Sequence, residues 1–343
     1  MTLAVAALGL VAGLSLGNLL EWGQPPQDHL LCQAYSGVPA LYQGPWRKGM
    51  RWVEGGHFTL GSDRFYAEEG PAQRVQVSGF WIDVHPVSNA QYAAFVAATG
   101  YRTLAERGID ARLDPSLGAG AQVPGSMVFR QGSGQLKSSW QFVEGASWRH
   151  PEGPGSAWQG RHNHPVVHVA YEDALAYAHW LGRELPSEAQ LEYAARGGLE
   201  DADFSWGMHE PAAERYLANT WQGRFPYQDL ARDGFRGTSP VGCFPANGFG
   251  LFDMAGNVWQ LTRTWYRPGH GSMPAKDPEG PVASASFDPR QPGVPVRVIK
   301  GGSHLCSADA CLRYRPSARQ PQVTYMGASH LGFRTLLAGP PAP

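Results

Sequence analysis

Lys300-Gly301-Gly302-Ser303-His304-Leu305-Cys306-Ser307-Ala308-Asp309-Ala310-Cys311-Leu312-Arg313-Tyr314-Arg315-Pro316-Ser317-Ala318-Arg319 concentrates the chemistry of this chain. It holds two of the four cysteines, five residues apart. Gly301 and Gly302 reach backbone conformations that other residues avoid, which suits a tight turn presenting Ser303 and Cys306. Three chemistries fit a close cysteine pair. One is a local disulfide. Another is half of a zinc site, although Cys32 and Cys243 do not supply the second short-spaced pair that zinc prefers. The third is a thiol pair that binds a soft ion such as Cu(I) or does redox work. Arg313, Arg315 and Arg319 would favour thiolates, or simply form ion pairs on a strand surface. Spacing alone leaves these readings open.

Around this stretch, 343 residues allow one large domain or two medium ones. A net charge of −1 gives no basic face of the kind nucleic acid requires. Glycine (43) and proline (28) are abundant, and 12 Trp, 13 Tyr and 14 Phe accompany them, so the expectation is a loop-rich fold with an aromatic core and not a disordered chain. Residues 1–20 are uncharged and apolar, as in a signal or anchor segment. The expectation is export or membrane tethering, hence a periplasmic or otherwise extracytoplasmic location, with a cytoplasmic one as the alternative. Proline-containing residues 21–50 read as a linker, 51–337 as the folded domain and 338–343 as a tail.

Within the domain, alternation and a glycine pair suggest a hairpin over residues 51–61, and residues 74–83 read as one strand. Ser88 or Asn89 caps a helix carrying Tyr92, Phe95 and Val96. Residues 108–141 lack periodicity and read as a surface excursion. His162, His164 and His168 lack metal-ligand spacing on a helix face and read as structural. A helix over 171–182 would bury Leu175, Ala178 and Leu181 and stop at Gly182. Ser187 caps the next helix, which Gly197-Gly198 ends.

Gly301-Gly302-Ser303-x-x-Cys306-x4-Cys311-x-Arg313-Tyr314-Arg315-x3-Arg319, followed by Leu331-Gly332-Phe333-Arg334, resembles the C-terminal signature of formylglycine-generating enzymes, the sulfatase-modifying factors. The resemblance extends from about Trp52 to that final segment. It implies a single α/β domain of the C-type-lectin-like, formylglycine-generating-enzyme fold, with little regular secondary structure and long loops. It implies that Cys306 and Cys311 bind Cu(I) as thiolates, that Ser303 shapes an oxygen pocket and that Trp259 lies near the cysteines. The implied reaction is O2-dependent oxidation of a cysteine in an unfolded sulfatase-type Cys-x-Pro-x-Arg polypeptide to formylglycine. Two calcium sites are implied as well. Asn219, Thr220, Asp233 and Phe235 match the first; Asp253, Gly256, Val258 and Gln260 match the second.

Departures from the pattern matter. Gln260-Leu261 replaces Glu-Trp, which removes a carboxylate from a hard-cation site, while Asp253 adds one where Asn is frequent. His330 stands where Asn is typical, and His85-Pro86 replaces Tyr-Glu. Ala178, Thr335, Ala195 and Pro316 occupy the four disulfide positions of vertebrate members, so a disulfide-poor relative is expected; packing is the default role of Cys243, and the pairing of Cys32 and Cys243 stays open. Two other functions fit the scaffold. One is a non-catalytic or altered-specificity paralogue acting as a peptide-binding or structural module; members without activity generally lack the cysteines. The other is an iron-dependent sulfoxide synthase, for which no helical iron-binding domain fits before Trp52.

Overall fold

The computed structural model describes residues 49–110, 122–132, 137–210 and 215–339. The apolar segment 1–20, nearly all of the linker 21–50 including Cys32, and the tail beyond 339 lie outside them. In chain order come β1 (Met50–Val53), β2 (Gly56–Leu60), a 3-10 turn (Ala67–Glu69), β3 (Gln73–Val77) and β4 (Phe80–Asp83). Then follow α1 (Asn89–Thr99), α2 (Leu104–Arg107), β5 (Gly125–Arg130), β6 (Ser139–Glu144), α3 (Tyr171–Trp180) and α4 (Glu188–Arg196). The last part holds β7 (Trp259–Trp265), β8 (Val296–Lys300), β9 (Arg319–Val323), β10 (Leu331–Gly332) and β11 (Leu336–Ala338).

The strands form a four-stranded sheet, β10-β7-β8-β9, a three-stranded sheet, β1-β4-β11, and two separate hairpins, β2-β3 and β5-β6. Most of the connecting chain is irregular, in line with the glycine and proline content. The two largest buried apolar clusters among the described residues organise the interior. One gathers Tyr92, Trp148, Tyr177, Trp259, Cys306, Tyr314 and Phe333; the other places α4 against β2, β3 and β4 through Ala194, Leu191, Phe58, Val75 and Phe80.

Helix ends follow the expected chemistry. The Ser88 hydroxyl accepts from Gln91 N–H and the Gln91 side chain answers to Ser88 N–H, a capping box. Ser187 and Gln190 repeat it on α4, and Gly197 closes that helix at φ 60°. Strand assignments change more. Residues 51–61 are not a hairpin: β1 pairs with β4 and β2 with β3. The break is at Gly55, where a Cβ would lie 2.6 Å from Gly79 N. Residues 74–83 form two strands in different sheets, separated at Ser78–Gly79. The 108–141 excursion contains most of the β5-β6 hairpin, paired from Gly125↔Glu144 to Arg130↔Ser139. The buried face of α3 is Asp173, Ala174, Tyr177 and Ala178. It is rotated from the expected face because Tyr177 stacks on Tyr92 and the Asp173 carboxylate accepts from Ala170 N–H and Leu104 N–H. Cys243 is disulfide-bonded rather than merely packed.

At the join of α4 with β8 and β9 lies a buried ionic cluster. Glu192 accepts from Lys300 Nζ at 2.7 Å and from Arg196 at 2.7 Å. Glu188 grips Arg319 through both oxygens, at 2.7 and 2.9 Å, and lies 3.3 Å from His270 Nε2. Burial opposes charge on both carboxylates, but the surrounding cations outweigh it and hold both below the ordinary carboxylate range. Their stabilising contribution is therefore complete above the unfolded value of about 4.3 and is lost as pH falls through the depressed folded values.

Breaking one member of such a cluster leaves an uncompensated buried charge. Glu192→Gln should cost about 3–5 kcal/mol in chemical denaturation at neutral pH. A loss below about 1 kcal/mol, the range of an exposed pair, would show that the cluster is not a stabilising unit.

Candidate active site

The loop from Gly301 to Ala318 is an insertion between β8 and β9, and its neck is the register pair Lys300↔Arg319. Gly301 and Gly302 take φ 94° and 71°. At Gly302 a Cβ would lie 2.7 Å from Arg313 O, so the turn requires glycine for space as well as conformation. Cys306 N–H donates to Ser303 O, Cys311 N–H to Ser307 O, and Trp221 N–H to Cys306 O, each at 2.9 Å. These bonds hold the cysteine backbone from inside the loop and from outside it.

Both cysteines are free, and their sulfurs are 2.9 Å apart. Their surroundings differ. Cys306 is buried at 2% exposure, whereas Cys311 is partly exposed. Burial pushes the Cys306 thiol well up, and its hydrogen bond to Cys311 reinforces this. Cys311 is lowered to about 7, first because the Cys306 S–H donates to it and then because Arg313 lies alongside. At neutral pH the pair is therefore a buried neutral thiol hydrogen-bonded to a sulfur that divides between thiol and thiolate.

Only one of the three arginines serves this charge. Arg313 stacks 3.7 Å from the Tyr66 ring centroid and pairs with Glu68 at 2.6 Å. Arg315 forks onto Glu69, and Arg319 onto Glu188. Tyr66, Glu68, Glu69 and Glu188 are thus supporting residues that the sequence reading missed. The signal was present as an acidic pair, Glu68-Glu69, in a chain with three clustered arginines.

Ser303 is fully buried; its oxygen accepts from Leu305 N–H and lies 3.4 Å from His330 Nδ1. Trp259 is buried in the same core as Cys306, and its N–H donates to His330 O at 2.8 Å. The His330 ring packs edge-on to Trp140, 4.5 Å between centroids. Burial lowers its pKa to about 3, with His304 and His168 contributing, so it is neutral at physiological pH. The other histidines fill structural roles: His162 packs against Trp158, His164 bonds Thr238, and His168 bonds Pro151 O.

The oxygen sites differ from each other. Asn219 is buried and donates to Gly237 O. The Gln222 amide nitrogen sits between Thr220 O and Asp233 Oδ2, donating to both. These oxygens already converge on a single electropositive group, which fits a hard cation. At the second site the Asp253 carboxylate accepts from Gly242 N–H and Asn257 Nδ2, and Gln260 bonds Arg334 and Asp253 O. Among the described residues, no three His, Cys, Asp or Glu side chains form a metal-binding group.

Replacing Arg313 by Gln removes the cation beside Cys311 while leaving the Cys306 hydrogen bond. In metal-free protein the midpoint of pH-dependent alkylation at Cys311 should rise by about one unit or more. An unchanged midpoint would mean that Cys306 alone sets the thiolate.

Residues 43–338 match the family model described as "Sulfatase-modifying factor enzyme 1-like domain". A formylglycine-generating enzyme of Mycobacterium tuberculosis is 49% identical over 289 residues, 82% of this chain and 95% of the relative. An "Inactive C-alpha-formylglycine-generating enzyme 2" of Mus musculus is 35% identical over 297 residues, 82% of this chain and 83% of that one. The solved structure of PvdO from Pseudomonas aeruginosa superposes with a TM-score of 0.55 at 23% identity, covering 84% of this chain and 93% of PvdO, which is a likeness of fold. With the cysteine loop, its glycine turn and its arginines in place, the chain belongs to the sulfatase-modifying-factor family of formylglycine-generating enzymes.

Proposed function

We propose that this protein oxidises a cysteine in an unfolded sulfatase-type Cys-x-Pro-x-Arg polypeptide to formylglycine, using O2, a soft copper ion and an external thiol reductant. The observation that carries this reading is the free, asymmetric Cys306–Cys311 pair. One substrate thiol and one O2 take up two electrons and two protons. The products are the aldehyde, one hydrogen sulfide and one water. Two external thiols supply the electrons and protons by becoming a disulfide. Copper, when bound by both sulfurs, would supply the one-electron steps that let ground-state O2 react.

The chain's own groups have distinct tasks. Cys311, partly exposed and lowered to about 7, and the buried Cys306 would together hold the ion. Cys306 releases its proton only on ligation, because burial holds the free thiol neutral. The buried Ser303 hydroxyl would offer a small polar lining, and Trp259 belongs to the apolar core that buries Cys306. Calcium at Asn219 and Asp233, with Thr220 and Phe235 carbonyls, would act as a structural ion.

Retention of both cysteines favours an enzyme over a silent paralogue. Export fits the apolar run at 2–20 and the disulfide at Cys243, a bond that persists in oxidising compartments. Among the described residues no helix is long and apolar enough to cross a membrane.

Incubating a Cys-x-Pro-x-Arg peptide with copper-loaded protein, O2 and a thiol should exchange sulfur and two hydrogens for one oxygen, read by mass spectrometry. Cys306→Ala and Cys311→Ala should each abolish the product. Conversion that survives both changes would remove the pair from the chemistry.

His330 is neutral and lies between Ser303 and Trp140, so it bears on how peptide and oxygen are seated. His330→Asn should change the peptide preference or raise the rate several-fold without adding a titration between about pH 5 and 9. Unaltered rates across a peptide panel would make His330 a packing residue only.

A further inference from the structure

The two oxygen sites implied by the family pattern are not equivalent in this chain. We propose that the second one takes no calcium, because Gln260 stands in place of its carboxylate and Arg334 holds the Gln260 side-chain oxygen, which turns the amide nitrogen and not the oxygen toward Asp253 O. This rests on the calcium reading above.

Arg334 is completely buried. Its Nε donates to Gln260 Oε1. One terminal nitrogen donates to Asp83 O at 3.0 Å. The other donates to Phe252 O at 2.8 Å and to Asp253 O at 3.1 Å. Burial lowers its pKa only to about 10, so the charge persists at neutral pH. Three main-chain oxygens and the Gln260 side-chain oxygen are thus consumed by one guanidinium.

Arg334 also fixes which way Gln260 faces. A carbonyl oxygen must point at Nε–H, because a flipped amide would oppose donor to donor. The Gln260 NH2 is therefore turned toward Asp253 O, to which it donates at 2.9 Å. A calcium ligand would have to present oxygen there, and this chain presents hydrogen. The remaining carboxylate, Asp253, is engaged by Gly242 N–H at 2.7 Å and Asn257 Nδ2 at 3.2 Å. Calcium takes about six to eight oxygens, several of them commonly charged, and here the two side-chain ligands offer one carboxylate and one donor-facing amide.

At the first site the order is reversed. Gln222 is the group that donates to Thr220 O and Asp233 Oδ2, and it is a neutral, partly buried side chain that an ion can displace. Gln260 cannot be displaced in that way, since Arg334 would lose its side-chain acceptor in a fully buried position.

The test is calcium stoichiometry in the full chain, by isothermal titration and by metal analysis after gel filtration from calcium. Wild type should bind one ion, Asp233→Asn none and Gln260→Glu two. Gln260→Glu supplies the missing carboxylate, so its melting temperature should also become calcium-dependent beyond that of wild type. Two ions in wild type would overturn the inference and leave the calcium reading intact. One ion that survives Asp233→Asn but is lost in Gln260→Leu would overturn it too, as would a folded Gln260→Glu variant that gains no ion. No ion in wild type, with one gained in Gln260→Glu, would support the inference and sink the first-site reading instead. If Gln260→Glu fails to fold, wild type and Asp233→Asn still decide the case.

Discussion

Two basic side chains face each other at the neck of the cysteine loop, and the site depends on how that conflict is resolved. Lys300 and Arg319 are direct register partners on β8 and β9. Like charges directly opposite repel, and both are buried. Glu188 lies between them, forked onto Arg319 and 3.7 Å from Lys300. Glu192, one turn further along α4, accepts from Lys300 at 2.7 Å. The first turn of α4 therefore closes a long loop whose ends would otherwise part. A helix placed for packing thus sets the geometry of a loop that carries chemistry.

Paired charges also make the two cysteines unequal. Three arginines follow the pair, and three carboxylates meet them singly: Glu68, Glu69 and Glu188. Arg315 and Arg319 are engaged in fully buried forks. Arg313 is only partly buried and keeps its face toward Tyr66, so part of its field reaches Cys311. Cys306 lies deeper, where desolvation dominates. Depth at Cys306, and a hydrogen bond with the Arg313 charge at Cys311, separate two residues of the same type.

What the sequence could reveal follows from the range of each interaction. Ser88, Ser187 and Gly197 act within one helical turn, so their caps were readable from neighbours in the chain. The glycine turn at 301–302 was readable for the same reason. The β5-β6 hairpin was not, since β6 is largely exposed and burial imposes no apolar face on it. The hairpin expected over 51–61 failed because β1 and β2 pair into different sheets, β1 with β4 and β2 with β3, and local alternation carries no record of partners. Tyr177 set the face of α3 through aromatic contacts made with α1 and Phe333. The motif residues were legible by resemblance, whereas Glu68, Glu69 and Glu188 acquire their meaning only when the fold brings them to the arginines.

The segment from Asp253 to Gln260 links these parts mechanically. Asp253 and Asn257 take left-handed conformations, φ 51° and 59°, which polar residues of this kind tolerate best among non-glycines. The backbone is thereby folded into a knot of donors and acceptors. Gly256 N–H reaches Gly301 O, Asn257 O receives His304 N–H, and Asn257 N–H reaches Asn219 O. Trp259 N–H reaches His330 O. One short loop therefore touches the first oxygen site, the cysteine loop and the histidine beside Ser303. An ion at Asn219 and Thr220 would meet the cysteine loop by two backbone routes, one from Asn219 O through Asn257 to His304 and one from Thr220 through Trp221 N–H to Cys306 O.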